Sequence, residues 1–120
     1  MFSTGLADVL QRSVWWLAEA LVEDAWTPVG YAGAELTNDG QYMFLSRAGV
    51  VPLARGHGLQ VRLIRARERW ARAHGCSHAW TYTHWANTRS QASLARQGYT
   101  PYTYEIADDT RFLHFRKDLR

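Results

Sequence analysis

The stretch at residues 50–60 (Val50-Val51-Pro52-Leu53-Ala54-Arg55-Gly56-His57-Gly58-Leu59-Gln60) constrains this chain more than any other. The residues before it read as strand and those after it as helix, so the backbone must change conformation across two glycines one residue apart. Pro52 closes the strand because it has no N–H to give a ladder. Beyond the glycines, Leu59, Leu63, Ala66, Trp70 and Ala73 recur at spacings of 4, 3, 4 and 3, the stripe of an amphipathic helix over residues 59–74. Gly75 comes next, where helices commonly stop. Glycines let successive N–H groups converge without a Cβ in the way, and a helix start adds unpaired donors and partial positive charge. A nest of this kind suits a diphosphate; a plain tight turn is the other reading. Two familiar phosphate loops are excluded: no Gly-Lys-Ser/Thr ends the stretch, and Val61 stands where a dinucleotide fingerprint needs its third glycine.

The first half of the chain reads as a short helix and an antiparallel meander. Leu6, Val9 and Leu10 suggest a helix over residues 5–12. Bulky residues at successive positions make 14–22 a strand, with Glu23-Asp24 as its turn, although the helix could also continue through it. Residues 28–36 and 41–51 form two further strands around the hairpin turn Asn38-Asp39-Gly40. After the 59–74 helix, 77–85 is aromatic and β-branched, hence a strand. Asn87 or Thr88 caps a short helix to Gln97, and Gly98 ends it. Strands 99–105 and 112–117 close the chain around the turn at Ala107-Asp108-Asp109-Thr110. A strand–helix–strand unit inside such an order implies one parallel pair in a mostly antiparallel sheet, an α+β mixed sheet.

At 120 residues the chain fits one domain, 1–120, with six Trp, six Tyr and four Phe arguing against disorder. No apolar run is long enough to span a membrane, and the N-terminal residues lack a signal-peptide layout, so cytoplasmic residence is the expectation. Cys76 is alone, which excludes an internal disulfide and a cysteine-rich zinc site. His74 and His78 have metal-ligand spacing, but Gly75 separates them and no carboxylate joins them, so no metal is expected. The net charge of +3 is unevenly spread: residues 55–96 carry eight arginines against Glu68 alone. That third of the chain expects an anionic partner or is a solvated basic face.

Val50-x-Pro52-x-x-Arg55-Gly56-x-Gly58-Leu59 resembles the acyl-CoA-binding motif of the GNAT superfamily of N-acetyltransferases. Asn87-x-x-Ser90-x-x-x-Leu94-x-x-x-Gly98-Tyr99 resembles that family's second segment, and Gly30-Tyr31-Ala32 its preceding strand. The resemblance implies a GNAT-like, mostly antiparallel six-stranded sheet with one splayed parallel pair and helices on both faces. It also implies acetyl-CoA as co-substrate, an amine acceptor of unknown identity, and direct transfer in a ternary complex. By the same resemblance Val50 contacts the pantetheine arm through its backbone. Arg55, Gly56, His57, Gly58, Leu59 and Gln60 wrap the diphosphate, and Asn87 and Ser90 face the arm. One or more of Arg55, Arg62, Arg89 and Arg96 are expected near the nucleotide phosphates.

The acid–base groups depart from the family pattern. Residues 41–50 hold no Asp or Glu, and Leu94 stands where family members often carry a Tyr. His84 and Glu35 are the substitute candidates for a catalytic role, with Tyr82, Tyr99 and Tyr102 as alternative proton donors. A catalytically weak CoA-binding or protein-interaction module of the same fold is the alternative function, and a basic nucleic-acid-binding domain a lesser one. Family members commonly begin with a further strand and helix. Trp15, Trp16 and Trp26 are therefore expected to be buried in the core or against a second subunit, as in a homodimer.

Overall fold

Alternation of buried and open side chains accounts for the strands. In β2 (Ser13–Val22), Val14, Trp16 and Ala18 are buried while their neighbours are not. Cross-strand pairing carries the same face through β3 (Ala25–Thr37), as Ala32 and Ala34, and β4 (Tyr42–Val50), as Met43 and Leu45. It continues through β5 (His78–His84), as Ala79 and Thr81, and β7 (Phe112–Asp118), as Phe115. The computed structural model describes residues 2–6, 13–102 and 111–120, the first of these by backbone alone. Among them, β1 (Phe2–Leu6), α1 (Leu59–Ala73), α2 (Thr88–Arg96) and β6 (Thr100–Tyr102) complete the elements, with a 3-10 turn at Pro52–Ala54.

The sheet order is β1-β2-β3-β4-β5-β7-β6, and only β4 and β5 run parallel. This is the α+β mixed sheet the sequence implied, with seven strands rather than six. The extra strand arises where a helix was expected to start. Phe2–Leu6 pairs with β2, Leu6 opposite Val14, which satisfies backbone groups of a segment whose Thr4 and Gly5 are poor helix formers. Residues 7–12 of that expected helix, and the 107–110 turn, lie outside the described residues. The second face of the sheet carries no helix among the described residues, because α1 and α2 both feed the one buried cluster. No described helix is long and apolar enough to cross a membrane.

The turns obey their chemistry. Glu23 and Asp24 take φ of 49° and 65°, the positive values a two-residue hairpin requires. Asn38, Asp39 and Gly40 do the same at 52°, 56° and 83°. Cys76 is buried, as a small packed residue. Of the tryptophans, Trp16 is buried edge-on against Trp70 and Trp15 is half-buried beside Tyr31. Trp26 is not in the core of the single chain: it is 51% exposed, near the turn of the long β2–β3 hairpin.

Two irregularities open the sheet. Between Ala32 and Ala34 the register shifts, so that Gly33 alone stands opposite Ser46 and Arg47, a bulge in β4. Beyond Phe44↔Trp80 no pairing joins β4 to β5, and the two strands part.

Candidate functional site

The parting strands leave a cleft of about 940 Å³, walled by Leu45–Val50 on one side, Thr81–Thr83 on the other, and the two helices. Its floor is the strand–glycine–helix junction. Gly58 caps α1 at φ 73° and Gly56 has φ 83°, left-handed values that glycine adopts without strain. A Cβ at either would meet nothing within 4 Å, so these glycines are required by backbone conformation and their outer side is open. Gly30 serves differently. A Cβ there would lie 3.2 Å from Leu59 Cδ2, so its bareness lets α1 seat against β3.

The donors of this junction divide sharply. The N–H groups of Ala54 and Arg55 bond to the carbonyls of Val51 and Pro52, and that of Arg62 to Gly58. Between them, no described residue accepts from the N–H groups of Gly56, His57, Gly58, Leu59, Gln60 or Val61. No side chain caps α1, and its first turn holds no acid. Unpaired donors at a helix start, left open to a cleft, are a site for an anion.

Most of the residues expected at the site come together. Val50, Arg55, Gly56, Gly58, Leu59, Gln60, Asn87 and Ser90 all line the cleft. Arg55 reaches back through Nε to the Val50 carbonyl at 3.4 Å. Asn87 Oδ1 accepts from the Ser90 N–H at 3.1 Å, so Asn87 is the cap of α2 as well as cleft wall. Arg89 and Arg96 join Arg55 at the lining, whereas Arg62 and His57 do not. Their side chains are exposed elsewhere, although His57 keeps its backbone in the loop.

The sequence reading missed Arg67. It is buried, lines the cleft, and donates from Nε to Leu63 and from Nη1 to the Gly33 carbonyl at 3.1 Å. The bulge frees that carbonyl, and Arg67 takes it. Burial lowers its pKa to about 10, against the pull of Tyr99 and Glu68. The signal was in the spacing: Arg67 lies four residues after Leu63, on the buried side, unlike Arg65 and Arg69, which are exposed.

Glu68, the single acid of the basic third, is also internal. Its carboxylate accepts from the Tyr99 hydroxyl at 2.7 Å and from Lys117 Nζ at 3.1 Å. Burial, and then the Glu68 charge, raise the Tyr99 phenol above its ordinary range. Tyr99 therefore ties the end of α2 to α1 and is no proton donor to the cleft. His84 and Glu35 are not brought to the lining either. His84 is exposed, its Nδ1 accepting the Ala86 N–H at 3.1 Å. Glu35 pairs across from Phe44, with Ser13 Oγ donating to it at 3.4 Å. Apart from arginines, Tyr82 is the titratable side chain at the cleft among the described residues. No group of three metal-ligating side chains occurs among those residues.

The profile of the Acetyltransferase (GNAT) family matches residues 6–99, most of the chain. The chain belongs to the GNAT acetyltransferase family. Within the family it is 37% identical over 67 residues to the aminoglycoside N(6')-acetyltransferase type 1 of Klebsiella aerogenes. That alignment covers 56% of this chain and 44% of the enzyme, so the chain spans less than half the length of its curated relative. Among solved structures, a Klebsiella pneumoniae protein assigned as an acyl-CoA N-acyltransferase superposes with TM-score 0.81 at 21% identity, over 93% of this chain and 76% of that one. The PaiA N-acetyltransferase of Thermoplasma acidophilum, solved with coenzyme A, gives 0.74 at 14% identity, over 89% and 61%. These likenesses establish the fold, with its splayed parallel pair.

Proposed function

We propose that the protein transfers the acetyl group of acetyl-CoA to a primary amine, by direct attack in a ternary complex. The observation that carries this reading is the run of unpaired N–H groups from Gly56 to Val61 at the foot of a cleft between parting strands. The amides of Gly56, Gly58, Leu59 and Gln60 hold the diphosphate, with His57 contributing backbone only. Arg55, Arg89 and Arg96 neutralise further phosphate charge. The pantetheine arm lies along Leu45–Val50, whose β5 side has no ladder partner after Phe44, and passes Asn87 and Ser90.

In the transfer, the amine lone pair attacks the thioester carbonyl, a C–N bond forms, the C–S bond breaks, and the amine proton ends on the departing sulfur. Tyr82 is the group we assign to deliver a proton to the thiolate, ahead of His84 and Glu35. The proton lost by the amine returns through water in the open cleft to the Tyr82 oxygen, so that the net transfer is from nitrogen to sulfur. Positioning supplies most of the rate in such a site.

Titration with acetyl-CoA tests the binding half. At ~100 times its dissociation constant, a ligand of the folded state adds about 2.7 kcal/mol of stability. An unchanged melting temperature would end the proposal. Thiol release across a panel of primary amines tests the rest. The lack of any carboxylate or imidazole among the described lining residues favours one second reading, a CoA-binding module without turnover. Binding without thiol release from any amine would select it.

A further inference from the structure

A second cavity, of about 470 Å³, lies on the sheet face away from α1, against Trp80, Tyr82, Tyr42 and Tyr102. Tyr82 lines both cavities, so this groove opens onto the place where β4 and β5 part. Its rings form a continuous platform: Phe44 stacks on Trp80 at 4.4 Å and on Tyr82 at 5.7 Å. The Trp80 indole N–H is already given to Thr37 Oγ1 at 2.9 Å, so the indole offers its face. Among the described lining residues none is acidic, Arg116 supplies a guanidinium, and His78 and His114 supply imidazoles. Its guanidinium sits 5.3 Å from the Tyr102 ring centre.

Register sets the distance between these groups. Arg116 pairs with Trp80 and His114 with Tyr82, so Arg116 stands two positions, about 7 Å, along the strand from the Tyr82 row. Resting on the transfer reading, we infer that the groove takes the body of the acceptor, and that the acceptor is a primary amine on one end of an aromatic ring with a carboxylate on the other. The ring stacks on Trp80 and Tyr82, the carboxylate meets Arg116, and the amine projects past Tyr82 to the thioester. There it displaces the thiol and becomes the amide. A polycationic acceptor is disfavoured, because the groove sets Arg116 against it and its described residues offer no carboxylate.

The test compares 4-(aminomethyl)benzoate, benzylamine and kanamycin as acceptors of the full-length protein with acetyl-CoA, read by thiol release. The expected order of kcat/KM is 4-(aminomethyl)benzoate first, benzylamine next and kanamycin last. In Arg116→Gln, the advantage of 4-(aminomethyl)benzoate over benzylamine falls roughly three- to fivefold, the scale of a solvent-exposed ion pair. Kanamycin as the best acceptor, or an unchanged ratio in Arg116→Gln, overturns the inference while acetyl transfer stands. If no amine releases thiol, saturation-transfer NMR of 4-(aminomethyl)benzoate on the CoA-loaded protein decides. Contact at the ring protons, weakened in Arg116→Gln, supports the groove assignment, and no contact overturns it. A protein whose melting does not respond to acetyl-CoA fails at the transfer reading instead.

Discussion

Replacing Gln60 with proline removes one backbone N–H from the α1 N-terminus and breaks no hydrogen bond inside the fold. Gln60 is the second residue of α1, its side chain is exposed, and no described residue accepts from its amide. Proline is tolerated in a first helical turn, where the missing donor has no helical partner. The folding cost comes from Leu59, which the ring pushes away from helical backbone. It should be about 1 kcal/mol, a fall in Tm of about 4 °C. Binding should suffer more. A hydrogen bond from an amide to a charged phosphate oxygen contributes about 1.5–3 kcal/mol, which at ~1.4 kcal/mol per decade weakens Kd roughly 10- to 100-fold. Gln60→Ala is the control, since it deletes the same side chain and keeps the amide, and its Kd should stay close to wild type. Isothermal titration with acetyl-CoA reads both variants, and circular dichroism checks that α1 persists. Equal affinity in Gln60→Pro and Gln60→Ala, with the helix intact, would refute the role given to these amides.

Tyr99 gives a pH prediction. Its phenol is raised in the folded protein by burial and by Glu68, so the stability it contributes is present below pH 10, its ordinary value, and is lost as the pH climbs beyond it. The difference in unfolding free energy between wild type and Tyr99→Phe should therefore shrink by about 1.4 kcal/mol per pH unit above pH 10; a difference independent of pH would contradict the buried Tyr99–Glu68 bond. Leu94→Ala, at a site 6% exposed, should cost about 2–5 kcal/mol in urea denaturation and loosen the α2 wall of the cleft. A cost under ~0.5 kcal/mol would mean that α2 is not packed as described. Trp26 bears on the expected homodimer: iodide should quench it weakly in a dimer that covers the hairpin end, as judged against Trp26→Phe. Full quenching together with a monomer mass would remove that expectation.

Local chemistry made much of this protein legible before any tertiary contact was known. The 59–74 stripe located α1, the Asn87-Thr88 pair announced the start of α2 with Asn87 proving to be the cap, and the Asn38-Asp39-Gly40 turn came from its tolerance of positive φ. The glycine loop ahead of α1 was readable for the same reason: its open donors are backbone groups whose placement depends on glycines and a helix start, both written in order along the chain. The seventh strand was not legible, since Phe2–Leu6 becomes strand only by pairing with Val14–Ala18. Arg67 looked like one more arginine of a basic flank until the β4 bulge offered it the Gly33 carbonyl. Glu68 and Tyr99, 31 residues apart, met only through packing. The candidate catalytic side chains were the least readable part: Tyr82, His84 and Glu35 share one face of the sheet, and of the three only Tyr82 lies at the cleft where β4 and β5 part. That is fixed by sheet register and by where two strands separate, quantities that no local run of residues encodes.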